Sequence, residues 1–247
     1  MKNTLFWYQW IIRFCIYDFF YLAPKLIYFK ILERLKGIEY TEEKVFNTVH
    51  KWANYSVKSG GSEITVNGLE NVPKDRTVLF VPNHQSYGDV PLLIYALKNC
   101  NFGFVIKSTM LRIPFIGNYL RYMHCVSMDQ SDLRSAAKSI NMAIEEINAG
   151  HSLVIFPEGR RSFNNYPADF KSGAFRIVKK TGVTIVPIYL RNIHHMYEGL
   201  GCKVYPVKDV SINILPPIDT DNLSKDELKN LSDIVRQKLI DCAKTFE

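Results

Sequence analysis

Beyond residue 60 the chain alternates short runs of β-branched and aromatic residues with stretches where apolar side chains recur every three to four positions. The runs at 63–66, 77–81, 102–106, 125–128, 152–156, 184–190 and 210–215 predict strands, and their alternation with helical stretches predicts an α/β domain. Ala136, Ala137, Ile140, Ala143, Ile144 and Ile147 mark one helix, which Gly150 is placed to end. Ser224 and Glu227 have capping-box spacing. They open a closing helix whose apolar face is Leu228, Leu231, Ile234, Val235 and Leu239.

The first forty residues follow a different pattern. Trp7, Tyr8, Trp10, Tyr17, Tyr21 and Tyr28 crowd an apolar run that Arg13, Asp18 and Lys25 interrupt, and its longest uncharged piece, 3–12, is too short to span a bilayer. Such rings favour the headgroup level, and Arg13, Lys25, Lys30, Arg34 and Lys36 can meet anionic lipid, so the segment reads as an interfacial anchor. An aromatic hairpin packed on the domain is the plainer alternative. Pro24 is expected to divide the segment into two helices, the second with an apolar stripe at Ile27, Tyr28, Ile31, Leu32, Leu35 and Ile38. The segment lacks a small-residue cleavage site and is expected to stay attached. This divides the chain into an N-terminal interfacial helical region, 1–59, and one domain, 60–247.

Composition narrows the classes. At 247 residues and 47% hydrophobic, the chain can bury a full core. A formal charge of +7 favours an anionic partner. The basic residues are not gathered in one helix or arm, so no nucleic-acid partner is expected. Five widely spaced cysteines without a C-x-x-C pair signal neither a disulfide framework nor a zinc ribbon.

Two stretches carry chemistry. In Asn83-His84-Gln85-Ser86-Tyr87-Gly88-Asp89, directly after a strand, His84 and Asp89 would sit roughly 140° apart on a continuous helix and can meet only across a turn. Pro82, Ser86 and Gly88 allow that turn, with Asp89 opening the helix that follows. A histidine base held by a carboxylate is half of a nucleophile-activating triad, and a substrate hydroxyl can replace the serine. Taken alone, the spacing reads more readily as a loop histidine and an N-cap aspartate. In Phe156-Pro157-Glu158-Gly159-Arg160-Arg161-Ser162, two guanidiniums can take phosphate bidentately and Gly159 permits close approach, although a solvated charged turn has the same composition.

These stretches, with Ile113-Pro114-Phe115-Ile116-Gly117 and Val186-Pro187-Ile188-Tyr189-Leu190, resemble in order the four blocks of the glycerolipid acyltransferase family that carries the H-x4-D motif. The resemblance covers about 64–217. It implies one acyltransferase domain with a central mixed sheet flanked by helices, behind a membrane-associated helical segment. It also implies His84 as general base, Asp89 as its orienting group, and Lys107, Glu158, Gly159, Arg160 and Arg161 as substrate-binding residues, Glu158 and Arg161 recognising a glycerol phosphate. Backbone amides near Pro114 to Gly117 would be the oxyanion donors. The activity implied is acyl transfer from acyl-CoA or acyl-ACP to the sn-2 hydroxyl of lysophosphatidic acid, without cofactor or metal, at the cytoplasmic face of an anionic membrane (the inner membrane in a bacterium). Other lysophospholipid or lyso-aminolipid acceptors, or a catalytically silent lipid-binding protein, are the alternatives.

The chain departs from the family pattern at Ser108-Thr109, at His124 followed by Asp129-Gln130, and at Arg160, where threonine is frequent. His124 is expected to be a packed or hydrogen-bonded residue of a strand. His194-His195 are expected to face opposite ways on a strand, and no metal site is expected.

Overall fold

The computed structural model describes residues 2–128, 133–197 and 204–247. Three helices lead: α1 (Lys2–Tyr17), α2 (Ala23–Lys36) and α3 (Ile38–Ser59). Then follow β1 (Ile64–Asn67), β2 (Val78–Pro82), α4 (Asp89–Ala96), β3 (Phe102–Lys107), α5 (Ile116–Tyr122), β4 (Val126–Met128), α6 (Leu133–Asn148) and β5 (Ser152–Val154). The chain closes with α7 (Arg176–Thr181), β6 (Thr184–Arg191), α8 (Ile193–Tyr197), β7 (Val210–Ile214), α9 (Lys225–Lys229) and α10 (Leu231–Lys244).

The strands form one seven-stranded sheet in the order β1-β7-β6-β2-β5-β3-β4. All pairings are parallel except β6 with β7, which gives the mixed α/β sheet flanked by helices. β2 is central and buried on both faces, and its side chains alternate: Val78 and Phe80 enter one core cluster, Leu79 and Val81 the other. The first cluster lies under α2, α3 and α4, the second under α6, α7 and α10.

Three details differ from expectation for identifiable reasons. β5 is shorter than 152–156: the amide of Ile155 still donates to Phe80, but Pro157 has no N–H to continue a ladder. The closing helix has the expected capping box at Ser224 and Glu227, yet it breaks at Asn230 into α9 and α10. Asparagine competes with the helical backbone, and the break lets Leu231, Val235 and Leu239 reach the core. The third lies at Pro24, which opens α2, so the two expected helices form, but the winding between them is continuous. The chain passes through a π-turn, Asp18–Leu22, whose wider winding accommodates the missing N–H and the ring. In that turn Asp18 accepts from the Trp52 indole at 3.0 Å, and burial pushes its carboxyl up to about 6.

The N-terminal helices have two faces. Inward, the Trp10 indole donates to Ser59 at 3.0 Å, Tyr17 stacks on Tyr55, and Leu26, Phe29 and Leu32 are buried. Leu26 and Phe29 belong to the same cluster as the strands, so this region shares the domain's core. Outward, Tyr8, Ile12 and Ile16 recur every four residues on α1. Ile27, Ile31 and Leu35 do so on α2, at 67%, 52% and 73% exposure. The stripe expected for α2 is therefore split, with Leu32 facing the core and the rest exposed. No described helix is long and apolar enough to cross a membrane.

Candidate active site

β2, β5 and β3 are parallel neighbours, so the segments carrying His84, Glu158 and Lys107 leave the same edge of the sheet. After β2 the chain turns onto the face that carries α4; after β5 it turns to the face that carries α7. Loops that diverge from adjacent strands open a crevice at their carboxyl ends, where α/β proteins bind ligands.

His84 stands at that edge, immediately beyond β2, and Asp89 is the first residue of α4. His84 Nδ1 lies 2.7 Å from Asp89 Oδ2, so the turn closes as the spacing predicted. The same oxygen accepts from the amides of Gln85 at 2.7 Å and Ser86 at 3.0 Å. Asp89 is fully buried, and Oδ1 has no hydrogen-bond partner among the described residues. Burial pushes its carboxyl up, while the bond from His84 and the two amides pull it back. An Nδ1 committed to a carboxylate leaves Nε2 as the atom able to accept a proton. The imidazole is further fixed by stacking on Phe156, with centroids 4.0 Å apart.

The second loop grips His84 by its backbone. Glu158 Oε1 accepts from the His84 amide at 2.7 Å, and the His84 carbonyl accepts from the Ser162 amide at 2.7 Å and hydroxyl at 3.0 Å. Glu158 Oε2 accepts from the amide of Ala168 at 3.1 Å. Glu158 is 3% exposed with both oxygens engaged by backbone, and burial pushes its carboxyl up. Its visible task is thus bracing the histidine, which differs from the direct ligand recognition expected. Behind the site, Asn83 exchanges two bonds with the backbone of Leu190. Gln85 donates to the Leu190 carbonyl and accepts from the amide of Ile193, tying the turn to the end of β6.

Arg161 sits over the Tyr87 ring at 3.9 Å and near the Phe163 ring at 5.2 Å. Phe163 has φ of 57°, a left-handed conformation that costs a bulky residue and turns its ring toward the guanidinium. Tyr87 comes from the histidine turn, so the two loops also meet through this contact. Arg160 is exposed, as is Lys107 at the end of β3. Gly159 has φ of 67°, and an added Cβ would lie 2.7 Å from Lys171 Nζ, so a side chain here would strain the backbone and displace that cation.

The sequence motifs gave no role of their own to Tyr87, Phe156, Phe163 and Lys171. The first three are aromatics within or beside the motif stretches, a signal that could have found them. The expected oxyanion amides are less available: Ile116 donates to Pro114 at 2.7 Å and Gly117 to Ile113 at 3.0 Å, inside their own turn. Asp129 and Gln130 lie outside the described residues. His194 and His195 are on α8 rather than a strand, with rings 3.9 Å apart. His194 Nδ1 is 3.2 Å from Gln85 Oε1, and burial lowers its pKa to about 4.

A histidine fixed by a buried carboxylate, beside a loop that carries Arg160 and Arg161, is an arrangement able to take a proton from a hydroxyl. Comparison with known proteins gives the class. The family model described as Acyltransferase matches residues 63–191, and the chain belongs to that family. It is 33% identical over 192 residues to a 1-acyl-sn-glycerol-3-phosphate acyltransferase of Borreliella burgdorferi, an alignment covering 76% of this chain and 74% of that protein. It is 27% identical over 194 residues to the protein of that name from Saccharomyces cerevisiae, covering 74% of this chain and 61% of the yeast protein. Against chloroplastic LPAT1 of Arabidopsis thaliana, 37% identity extends over 56% of this chain and 38% of the plant protein. The crystal structure of the 1-acyl-sn-glycerophosphate (LPA) acyltransferase PlsC from Thermotoga maritima superposes with a TM-score of 0.80 at 26% identity, covering 98% of this chain and 96% of that one.

Replacing Glu158 tests its bracing role. Glu158→Gln turns an amide NH2 toward one of the two backbone N–H groups, so unfolding in urea should show a loss of about 1–3 kcal/mol. Unchanged stability would mean that the clasp on His84 does not depend on this carboxylate.

Proposed function

We propose that this acyltransferase moves a fatty acyl group from a thioester, acyl-CoA or acyl-ACP, to the sn-2 hydroxyl of lysophosphatidic acid, forming phosphatidic acid at the cytoplasmic face of a membrane. The observation that carries the reading is the His84–Asp89 pair, one ring nitrogen locked on a buried carboxylate and the other left for a substrate proton. Nε2 takes the proton of the acceptor hydroxyl as its oxygen attacks the thioester carbonyl carbon. The tetrahedral intermediate collapses, the C–S bond breaks, and the departing thiolate takes the proton back from Nε2. Asp89, anionic and poorly solvated, stabilises the imidazolium in between. The step needs neither metal nor cofactor.

Arg161, with Arg160 and Lys107 on the same sheet edge, is assigned to the acceptor's phosphate, which matches the charge of +7. The names of the relatives from Borreliella and Thermotoga support the choice of acceptor. Arg160, standing where the family often has threonine, favours a second reading in which another anionic lysophospholipid is preferred. The apolar rows on α1 and α2 support the membrane part of the proposal: exposed aliphatic and aromatic side chains flanked by Lys30, Arg34 and Lys36 suit an anionic interface, the segment lying in one leaflet.

The function is tested by supplying wild-type enzyme with a panel of lysolipids and both thioester donors, products being identified by mass. Lysophosphatidic acid should be the best acceptor. His84→Ala should lower turnover about 10²-fold to 10⁴-fold, and Arg161→Ala should weaken phosphate-bearing acceptors more than phosphate-free ones. A folded His84→Ala protein with wild-type turnover would end the proposal.

The anchor is tested by flotation with liposomes containing anionic lipid. Ile27→Asp/Ile31→Asp/Leu35→Asp, which charges only the exposed row of α2, should abolish most binding while leaving activity on dispersed short-chain substrate. Flotation equal to wild type would show that this face does not meet lipid.

A further inference from the structure

At the opposite edge of the sheet, where β3 and β5 begin, three segments distant in sequence bring two histidines and carboxylates together. His124 lies between α5 and β4; Glu146 is in the last turn of α6, and His151 follows that helix. His124 is bonded on both ring nitrogens, in keeping with the packed or hydrogen-bonded residue expected, but it stands outside the strand. It precedes its strand with φ of 56°, a left-handed backbone that turns its ring over that of His151, the centroids being 3.5 Å apart. His124 Nδ1 lies 3.1 Å and His151 Nδ1 2.7 Å from the same oxygen, Glu146 Oε2. On the far side of the His124 ring, Nε2 is 3.1 Å from Glu42 Oε1 of α3.

We propose that His124 Nδ1, His151 Nδ1 and a Glu146 carboxylate oxygen bind a divalent transition-metal ion, Zn2+ by preference, and that the ion has a structural role. A neutral imidazole has one N–H, yet both nitrogens of His124 face carboxylate oxygens. If Glu42 accepts Nε2–H, Nδ1 presents a lone pair toward Glu146, an arrangement that is favourable with a cation between them. A carboxylate fixing the far nitrogen of a liganding histidine is the usual outer partner of such a site.

The geometry fits as well. Donors in a tetrahedral zinc site with bonds of about 2.0–2.1 Å lie about 3.3 Å apart, so the observed 3.1 and 2.7 Å need to open by a few tenths of an ångström. Two imidazoles and a carboxylate are the donor set that a borderline-soft ion takes, whereas calcium and magnesium prefer oxygen alone. The site ends α6, where carbonyls point outward and the last turn has no basic residue, and this favours a cation. Glu39, Glu42 and Glu43 line the adjoining cavity of about 220 Å³, which has room for a water as fourth ligand.

The consequence follows from the connections. Glu42 belongs to the N-terminal helices, His124 to the approach to β4, and Glu146 with His151 to the α6–β5 corner, so the ion would staple the helical region to the sheet. The active-site loops leave the other edge, and the ion has no part in acyl transfer.

The test uses the full chain, treated with chelator, then titrated with Zn2+ alone while heat bound and Tm are followed. We expect one ion per chain and a higher Tm. His151→Ala should weaken binding by at least about 100-fold, and Glu42→Gln, which keeps the size but not the charge, by about 10- to 100-fold. Should His151→Ala fold poorly, His151→Gln and the wild-type titration serve. Fewer than a tenth of an ion per chain, a Tm that Zn2+ does not change, or equal Zn2+ affinity in His124→Ala/His151→Ala would overturn the proposal. So would a Tm that responds to pH but not to Zn2+, the mark of a protonated histidine pair held by glutamates alone.

Discussion

The site depends on one buried charge. Asp89 is fully buried, receives three donors on Oδ2 and has none on Oδ1 among the described residues. An anion so placed is under-solvated, and forming an imidazolium beside it relieves that cost. The same imbalance that makes Asp89 expensive to fold therefore favours proton transfer to His84. Because the amides of Gln85 and Ser86 serve the same oxygen, the charge also sets the backbone of the turn, and with it where His84 stands.

From that turn the constraints spread outward. The His84 amide and carbonyl are both held by the Glu158–Ser162 loop, so the base and the cationic loop are one construction rather than two loops that happen to be near. Tyr87 and Arg161 close the contact from the other side. Both loops rest on adjacent parallel strands buried on both faces, a rigid foundation that the β2–β5 ladder and the bond from Ile155 to Phe80 keep in register. The exposed rows on α1 and α2 are the counterpart at the periphery: the inner face of α2 joins the same core and α1 is tied to α3 through Trp10–Ser59 and Tyr17–Tyr55, which fixes the apolar surface relative to the active-site loops.

The strands were legible because each is a compact apolar run bounded by turn residues, and α6 because its apolar positions keep a helical period into Gly150. The turn from His84 to Asp89 was legible for a similar reason: spacing excluded a helix and the intervening residues allowed a loop. Glu158 was found but its task was not, because a loop carboxylate has the same appearance in sequence whether it serves a ligand or two backbone amides. The cluster of His124, Glu146, His151 and Glu42 was invisible for a topological reason. The parallel order β5-β3-β4 brings His124 beside the Glu146–His151 corner, Glu42 arrives from α3, and no local spacing records these meetings. The π-turn before Pro24 and the break at Asn230 are local responses, to a ring without an N–H and to an asparagine that competes with the helical backbone, whose placement the apolar pattern does not record.

The central claim is that the acyl group passes directly from thioester to the acceptor oxygen, with His84 handling only the proton. The decisive measurement mixes enzyme with acyl-CoA in the absence of acceptor and follows thiol release on the millisecond scale, together with the intact mass of the protein. The account predicts no stoichiometric burst and no acyl adduct, with thiol appearing only when lysolipid is added. A burst equal to the enzyme concentration, with the protein heavier by one acyl group, would show a covalent intermediate and contradict it.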